Sequence, residues 1–346
     1  MKAVIQDRYG TEAVLRVADV AVPVPLADEV LVRVHASSVH ADVWHCIAGR
    51  PYALRLMGGG LLRPRQPIPG TDAAGVVESL GADVAGLQVG DRVFGEVVRG
   101  HAWKNGGALA EYVCAPSSQL VVIPERLSDT EAGAAAASGV IAMQVVQEEG
   151  MVAKGDRVLI NGAGGALGTI AVQAAAAAGA TVTAVDRADK LELLTELGAQ
   201  HTIDYTAEAV TGQYDVVIDV ASTLSTEQAV GLVASGGRYV FVGHDDYGAR
   251  RGRWLGSIGR ILQLLWARRS HPQLSGGPLT RTNAERMRAL AQLIDDGVVT
   301  PVVDPRTFRL DGVPDAMRYL KTGDARGRVV VELRPTGARA RRPARG

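Results

Sequence analysis

The sequence of 346 residues holds only two cysteines, Cys46 and Cys114. Two are too few for a disulfide framework or a structural zinc site. An excess of positive charge is also missing: 37 Lys plus Arg face 37 Asp plus Glu. That parity argues against non-specific nucleic-acid binding, which needs cations to neutralise phosphates. No uninterrupted apolar run approaches the roughly 20 residues of a membrane span. The most apolar windows, 132–146 and 170–185, both contain glycines and turn signals. The opening MKAVIQDRYG lacks the long apolar stretch of a secretory signal. These absences predict a cytoplasmic protein with no nucleic-acid and no membrane partner.

What is present suggests two domains. Hydrophobic residues make up 47% of the chain, and its length exceeds twice a prior of roughly 150 residues per domain. Residues 1–123 read as β-rich, with runs at Ala3–Gln6, Glu29–Ala36 and Glu111–Ala115 separated by many Gly and Pro. From Pro124 onward, apolar strands alternate with helical stretches. Strands are expected at Arg157–Asn161, Thr181–Asp186, Asp215–Val220 and Arg238–Val242, and helices at Ala166–Ala178, Lys190–Leu197 and Ser225–Ala234. Such alternation predicts a doubly wound parallel sheet, hence an α/β fold class. The end changes style again. A helix at Asn283–Asp296, with Asn283 as N-cap and Gly297 as C-cap, precedes a short strand at Phe308–Leu310, a helix near Val313–Leu320 and a strand at Gly327–Leu333. The C-terminal ARARRPARG reads as a disordered basic tail covering 336–346.

The most specific motif is Asn161-Gly162-Ala163-Gly164-Gly165-Ala166-Leu167-Gly168, lying between a strand and a helix. Small residues let the backbone turn tightly and approach a pyrophosphate, and the free N–H groups of a helix start bind the anion. The next strand ends in Asp186, at the spacing of the acidic residue that holds the adenosine ribose. Asn161, Gly162, Gly164, Gly165, Ala166, Leu167, Gly168 and Asp186 are therefore candidate dinucleotide contacts, with Val242 and Gly243 at the end of a later strand.

Blocks along almost the whole chain then resemble the medium-chain dehydrogenase/reductase superfamily. They include Pro69-Gly70-Thr71-Asp72-Ala73-Ala74-Gly75, Val89-Gly90-Asp91-Arg92-Val93-Phe94-Gly95, Gly107-Ala108-Leu109-Ala110-Glu111-Tyr112, the glycine loop, and Ala325-Arg326-Gly327-Arg328-Val329. The chain looks most like the zinc-free quinone oxidoreductase branch, with enoyl and alkenal reductases as relatives. The resemblance implies a Rossmann sheet plus a GroES-like β-barrel catalytic domain, with the active site between them. The implied division is 1–123 for the first part of the catalytic domain, 124–283 for the Rossmann domain, and 284–335 for the return to the catalytic domain. A homodimer is implied as well.

The metal positions of the zinc enzymes in this superfamily are replaced. Their first ligand position aligns with His40, their Gly-His-Glu becomes Gly70-Thr71-Asp72, and 134–142 holds no cysteine. No catalytic zinc is expected. The branch usually has Asn where His40 stands and Asp where Val43 stands; here Asp42 comes one position early. His40 is either a hydrogen-bond or proton donor to a substrate carbonyl, or a packing residue. His40 and Asp42 are the candidate catalytic pair, and Trp44 and Tyr52 are candidate pocket walls or ordinary core. Thr is frequent in the family where Ile141 stands. Arg187, Lys190 and Tyr205 match positions that cradle a 2′-phosphate, opposed by Asp186, so NADP(H) is favoured slightly over NAD(H). Arg328 stands where the family keeps a cation for the cofactor phosphates. The leading expectation is NAD(P)H-dependent reduction of a quinone or an α,β-unsaturated carbonyl, a small-molecule substrate. A non-redox relative such as an isomerase, cyclase or sensor is the alternative, followed by an alcohol dehydrogenase.

Overall fold

Apolar strands alternating with helices build a parallel sheet in the middle of the chain, and the Val-rich ends build an antiparallel one. The computed structural model describes residues 1–99, 104–244, 246–248 and 254–333; the basic segment 336–346 lies outside the described residues. The elements in chain order are β1 (Lys2–Ile5), β2 (Arg16–Asp19), β3 (Glu29–Val39), α1 (Ala41–Ala48), β4 (Asp72–Leu80), β5 (Arg92–Glu96), β6 (Tyr112–Pro116) and β7 (Leu120–Val122). There follow α2 (Asp129–Met143), β8 (Arg157–Asn161), α3 (Ala166–Ala177), β9 (Thr181–Asp186), α4 (Ala188–Glu196), β10 (His201–Asp204), β11 (Tyr214–Asp219), α5 (Thr226–Leu232) and β12 (Val233–Phe241). The last are α6 (Ser257–Ala267), α7 (Asn283–Asp295), β13 (Phe308–Arg309), α8 (Val313–Leu320) and β14 (Val329–Glu332).

The five parallel strands run in the order β10-β9-β8-β11-β12. Val158, Ile160, Val182, Ala184, Val216 and Ile218 are all fully buried. Helices on both faces require such continuous apolar runs. The chain winds outward from β8 to β10 and then crosses to β11, so the strand order reverses between β8 and β11. In open α/β sheets a ligand crevice forms at the C-terminal strand ends of such a reversal. The second sheet runs β13-β14-β3-β4-β5-β7, with β6 also on β3. It is closed by the returning chain: β14 lies antiparallel to β3, pairing Val329 with Val39 and Glu332 with Ala36.

Helix α2 lies between the two sheets. Its start is a capping box: Ser128 accepts from the Glu131 N–H, and Glu131 accepts from the Ser128 N–H. The glycines of this window read as turn signals, yet the helix runs through them. A Cβ on Gly133 would stand 2.9 Å from Ala36 Cβ, and one on Gly139 would stand 2.1 Å from Leu290 Cδ2. These glycines admit β3 and α7 to the helix surface and do not end the helix.

Three other expectations are corrected. Thr282, not Asn283, caps α7, in a capping box with Glu285; the Asn283 amide instead donates to Glu96 Oε2 at 2.7 Å. Asp296 is the C-cap, and Gly297 follows it with φ of +75°. Also, α5 ends at Leu232 and β12 begins immediately, where a helix had been expected to Ala234.

Just beyond α2, the buried Glu148 accepts from Arg286 Nε at 2.6 Å and from the Thr280 and Arg281 N–H groups at 2.7 and 3.0 Å. The Arg286 contact dominates, burial opposes it, and the carboxyl falls from 4.5 to about 2. A folded-state value below the unfolded one stabilises the fold above pH 4.5, and the gain is lost as pH falls towards 2. Glu148→Gln leaves Arg286 buried without its counter-charge. Denaturant unfolding at neutral pH is expected to show a loss of roughly 3 kcal/mol. The variant should lose less additional stability than the parent between pH 4.5 and 2; equal acid sensitivity would remove this account of the pair.

Candidate active site

The glycine loop sits at the strand-order reversal. Gly162 has φ of +85°, a conformation cheap only for glycine. Gly164 is gripped on both sides: its N–H donates to Asp186 Oδ2 at 2.8 Å, and its carbonyl accepts from the Gly327 N–H at 3.0 Å. Gly165 is the N-cap of α3 in extended conformation, and its face opens on a cleft of about 560 Å³. A Cβ added there would meet only Gly162 O, at 3.9 Å. The space beside the helix start is therefore open, and an anion entering it meets unpaired N–H groups and the positive end of the helix dipole.

The opposite wall of the cleft comes from the β3–α1 junction. His40 is the N-cap of α1, extended at φ of −158°, and it is buried. Its Nε2 shares a 2.9 Å hydrogen bond with Thr71 Oγ1 and lies 3.8 Å from Asp72 Oδ1. Its Nδ1 lies 3.9 Å from Asp42 Oδ2. Asp72 is fully buried; its Oδ2 accepts from Ser38 Oγ at 2.8 Å, while Oδ1 has no hydrogen-bond partner among the described residues. Burial pushes this carboxyl up, but His40, Arg328 and Ser38 together hold it below the usual carboxylate range. Arg328 also lines the cleft, is buried, and has no partner for its Nε among the described residues. Burial pushes its guanidinium down, against the pull of Asp72 and Asp42. A desolvated cation with an idle donor, lining the same cleft as a helix N-terminus, fits the phosphates of a dinucleotide.

Comparison with known proteins agrees with this geometry. Residues 26–125 match the alcohol dehydrogenase GroES-like domain, and residues 197–331 match the zinc-binding dehydrogenase family. The chain is 31% identical to a 2-methylene-furan-3-one reductase of Solanum lycopersicum, over 97% of this chain and 80% of that protein. It is 30% identical to a chloroplastic NADPH-dependent alkenal/one oxidoreductase of Arabidopsis thaliana, over 96% and 79%. The solved quinone oxidoreductase from Coxiella burnetii superposes with a TM-score of 0.81 at 27% identity, covering 96% of this chain and 99% of that one. The chain belongs to the medium-chain dehydrogenase/reductase superfamily, in its quinone oxidoreductase-like branch. Its fold is the Rossmann sheet with a GroES-like domain.

Within this superfamily fold the residues singled out from sequence fall into three groups. His40, Asp42, Gly165, Ala166 and Leu167 line the cleft, as do Lys190, Val242, Gly243 and Arg328. A second group holds the walls in place. The Asn161 amide donates to Asp219 Oδ1 at 2.7 Å and to Thr223 Oγ1 at 2.8 Å, tying β8 to β11. Gly168 packs under the loop, where a Cβ would meet Gly162 O and Ala163 O at 2.5 Å. The third group stands outside the lining. Trp44 is core, packed edge-on to His45 and Tyr247. Tyr52 lies edge-on to Trp254 and beneath Arg55. The wall they were expected to form is made instead by His45, Pro51, Leu54 and Tyr247.

Several residues were missed. Thr71 and Asp72 were noted only as replacements for metal ligands, whereas they support His40. Among the described residues no group of three or more His, Cys, Asp or Glu is arranged to hold a metal ion. Ser138 lines the cleft one turn before Ile141; the i, i+3 spacing on one helix face was the available signal.

Gly165→Val tests the anion site. The backbone is extended and the added side chain meets open cleft, so the fold should persist by circular dichroism and thermal melt. The isopropyl group occupies the approach to the helix N-terminus, so dinucleotide affinity by fluorescence titration should fall at least about 100-fold, on the order of 3 kcal/mol. Unchanged affinity would place the cofactor elsewhere.

Proposed function

We propose that the protein reduces a quinone or an α,β-unsaturated carbonyl with a nicotinamide dinucleotide, without a metal. The observation that carries this reading is the placement of His40, backed by Thr71 and Asp72, in the same cleft as the loop at Gly165. The bound dinucleotide supplies the hydride. The chain's own residues do the rest. Arg328 and the α3 N-terminus hold the anionic end, and Ile141 and Val242 exclude water. Reduction places negative charge on the substrate oxygen, and a donor at His40 stabilises that charge more in the transition state than in the ground state. Thr71 fixes the ring and Asp72 supports a positive charge on it. Asp42, on the ring's other side, is the second candidate for holding it. Metal independence is supported by the residues at the ligand positions: His40, Thr71 with Asp72, and a cysteine-free 134–142.

NADPH is the proposed form. Both Asp186 oxygens already accept backbone N–H groups, from Gly164 and Arg187. Lys190 lies 3.6 Å from Asp186 and donates to Gly323 O, and Arg187 pairs with Asp189 and Asp324. The nearness of these cations and of the exposed Tyr205 to Asp186 supports a 2′-phosphate there, and the Arabidopsis relative is named as NADPH-dependent. The division at 123/124 and 283/284 belongs to the same proposal. It is supported by the antiparallel sheet's strands lying before residue 123 and after 307. A cytoplasmic setting is supported by two free cysteines; no helix among the described residues is long and apolar enough to cross a membrane. The proposed homodimer pairs parallel sheets edge to edge, and light scattering should give twice the chain mass.

His40→Ala should lower kcat for the best enone or quinone on the order of 100-fold, the usual loss for such a donor. His40→Asn, which keeps a donor, should lose less. In the same assay kcat/KM should be higher with NADPH than with NADH. Full activity in both His40 variants would make His40 a packing residue, and a preference for NADH would reverse the cofactor assignment.

A further inference from the structure

A net charge of zero conceals a strong segregation. Residues 43–71 hold four arginines and no Lys, Asp or Glu, and residues 247–284 hold seven arginines and again none of the other three. The fold brings these stretches together at the cleft mouth. The Ala53 N–H donates to Trp254 O at 3.2 Å, and the Tyr52 and Trp254 rings meet edge-on at 5.2 Å. Pro51 and Leu54 line one side of the cleft, and Ser257, Ile258 and Ile261 of α6 line the other.

Helix α6 is inverted relative to an ordinary surface helix, which turns its apolar side to the core. It buries Arg260, bonded to Leu224 O and Thr226 Oγ1, together with Leu264. Leu262, Leu265 and Trp266 face solvent, Trp266 with 72% of its surface exposed. Trp254 and Leu255, just before the helix, and Leu56, Leu61 and Leu62, in the stretch that meets Trp254, are exposed too, Leu62 by 84%. Arg63, Arg65 and Arg269, in the same two stretches, are exposed.

We propose that this face docks on the surface of an anionic lipid bilayer. Exposed Leu and Trp are suited to the boundary of headgroups and acyl chains, and arginines to anionic headgroups. A second copy of the chain is a poor occupant: a two-fold contact would set arginine against arginine, with no carboxylate in either stretch to pair them. The expectation of no membrane partner rested on the lack of a spanning segment, and docking needs none. Docked in this way, the cleft mouth faces the acyl boundary, so a lipophilic quinone or enone enters without crossing water. That last consequence rests on the reduction proposed above; the docking does not.

The test is co-sedimentation of the full chain with vesicles of phosphatidylcholine alone and of phosphatidylcholine with phosphatidylglycerol, without dinucleotide or substrate. Binding to the anionic vesicles should be at least about tenfold stronger, given roughly fivefold per arginine, and should weaken in about 0.5 M salt. Leu262→Ser/Leu265→Ser/Trp266→Ser should abolish it while leaving turnover of a water-soluble quinone intact. Arg269→Glu should remove much of the anionic preference. Failure of the wild type to bind anionic vesicles overturns the proposal. So does a triple variant that halves the particle mass by light scattering, because the face is then a contact between copies. Vesicle binding without turnover of any quinone or enone leaves docking standing and removes the reduction.

Discussion

The hydrogen bond from Gly327 N to Gly164 O, 3.0 Å long, joins the returning C-terminal chain to the phosphate loop. Gly327 has φ of +70°, and a Cβ there would stand 2.3 Å from Val302 O, so the junction tolerates only glycine. On the other face of the same loop, Asp186 accepts the Gly164 N–H. A side chain on Gly164 would collide with Lys190 and with that carboxylate. The loop is thus set from both domains before any ligand arrives. Preorganisation of this kind removes ordering costs from binding. It also fixes Arg328, the next residue, at a set position relative to the α3 N-terminus.

From that junction the electrostatics of the cleft follow. Arg328 and Asp72 are both buried, and they oppose one another's cost through space without a direct salt bridge among the described contacts. Direct pairing would consume the guanidinium. Held apart, the guanidinium keeps an idle Nε and the carboxylate an idle Oδ1 among the described residues. Each is a charge held in a buried position, where electrostatic fields act most strongly. The idle Oδ1 of Asp72 and idle Nε of Arg328 are costly in a resting protein, and a charged ligand would offset that cost.

Much of this was legible in the sequence where periodicity and position coincide. Strands β8 and β9 have the predicted limits because their apolar runs stop at the glycine loop and at Asp186. His40 and Arg328 were placed by resemblance, and the cleft contains both. What was not legible depended on three-dimensional packing. Gly133 and Gly139 resemble turn glycines until Ala36 and Leu290 are seen against them. Thr71 and Asp72 are remote from His40 in sequence, and only the register of β3 against β4, pairing Ser37 with Ala73, brings them together. Trp44 and Tyr52 were assigned to the pocket by residue type, yet their rings point to other aromatics. Helix α6 was not among the expected elements, and the spacing of its apolar residues does not say which face meets the core.

That last failure carries physical content. A folding chain normally gains by burying Leu and Trp, about 25 cal/mol for each Å² removed from water. A helix that instead buries an arginine, bonded to Leu224 O and Thr226, and leaves Leu262, Leu265 and Trp266 outside forgoes that gain. The same helix supplies Ile258 and Ile261 to the cleft wall. The cleft is therefore graded. Its lining carries His40, Asp42 and Arg328, with the buried Asp72 3.8 Å from His40, and its mouth is rimmed by the apolar Ile258 and Ile261. A substrate with a polar carbonyl and an apolar body would be oriented by that gradient alone, carbonyl inward, before any specific contact is made.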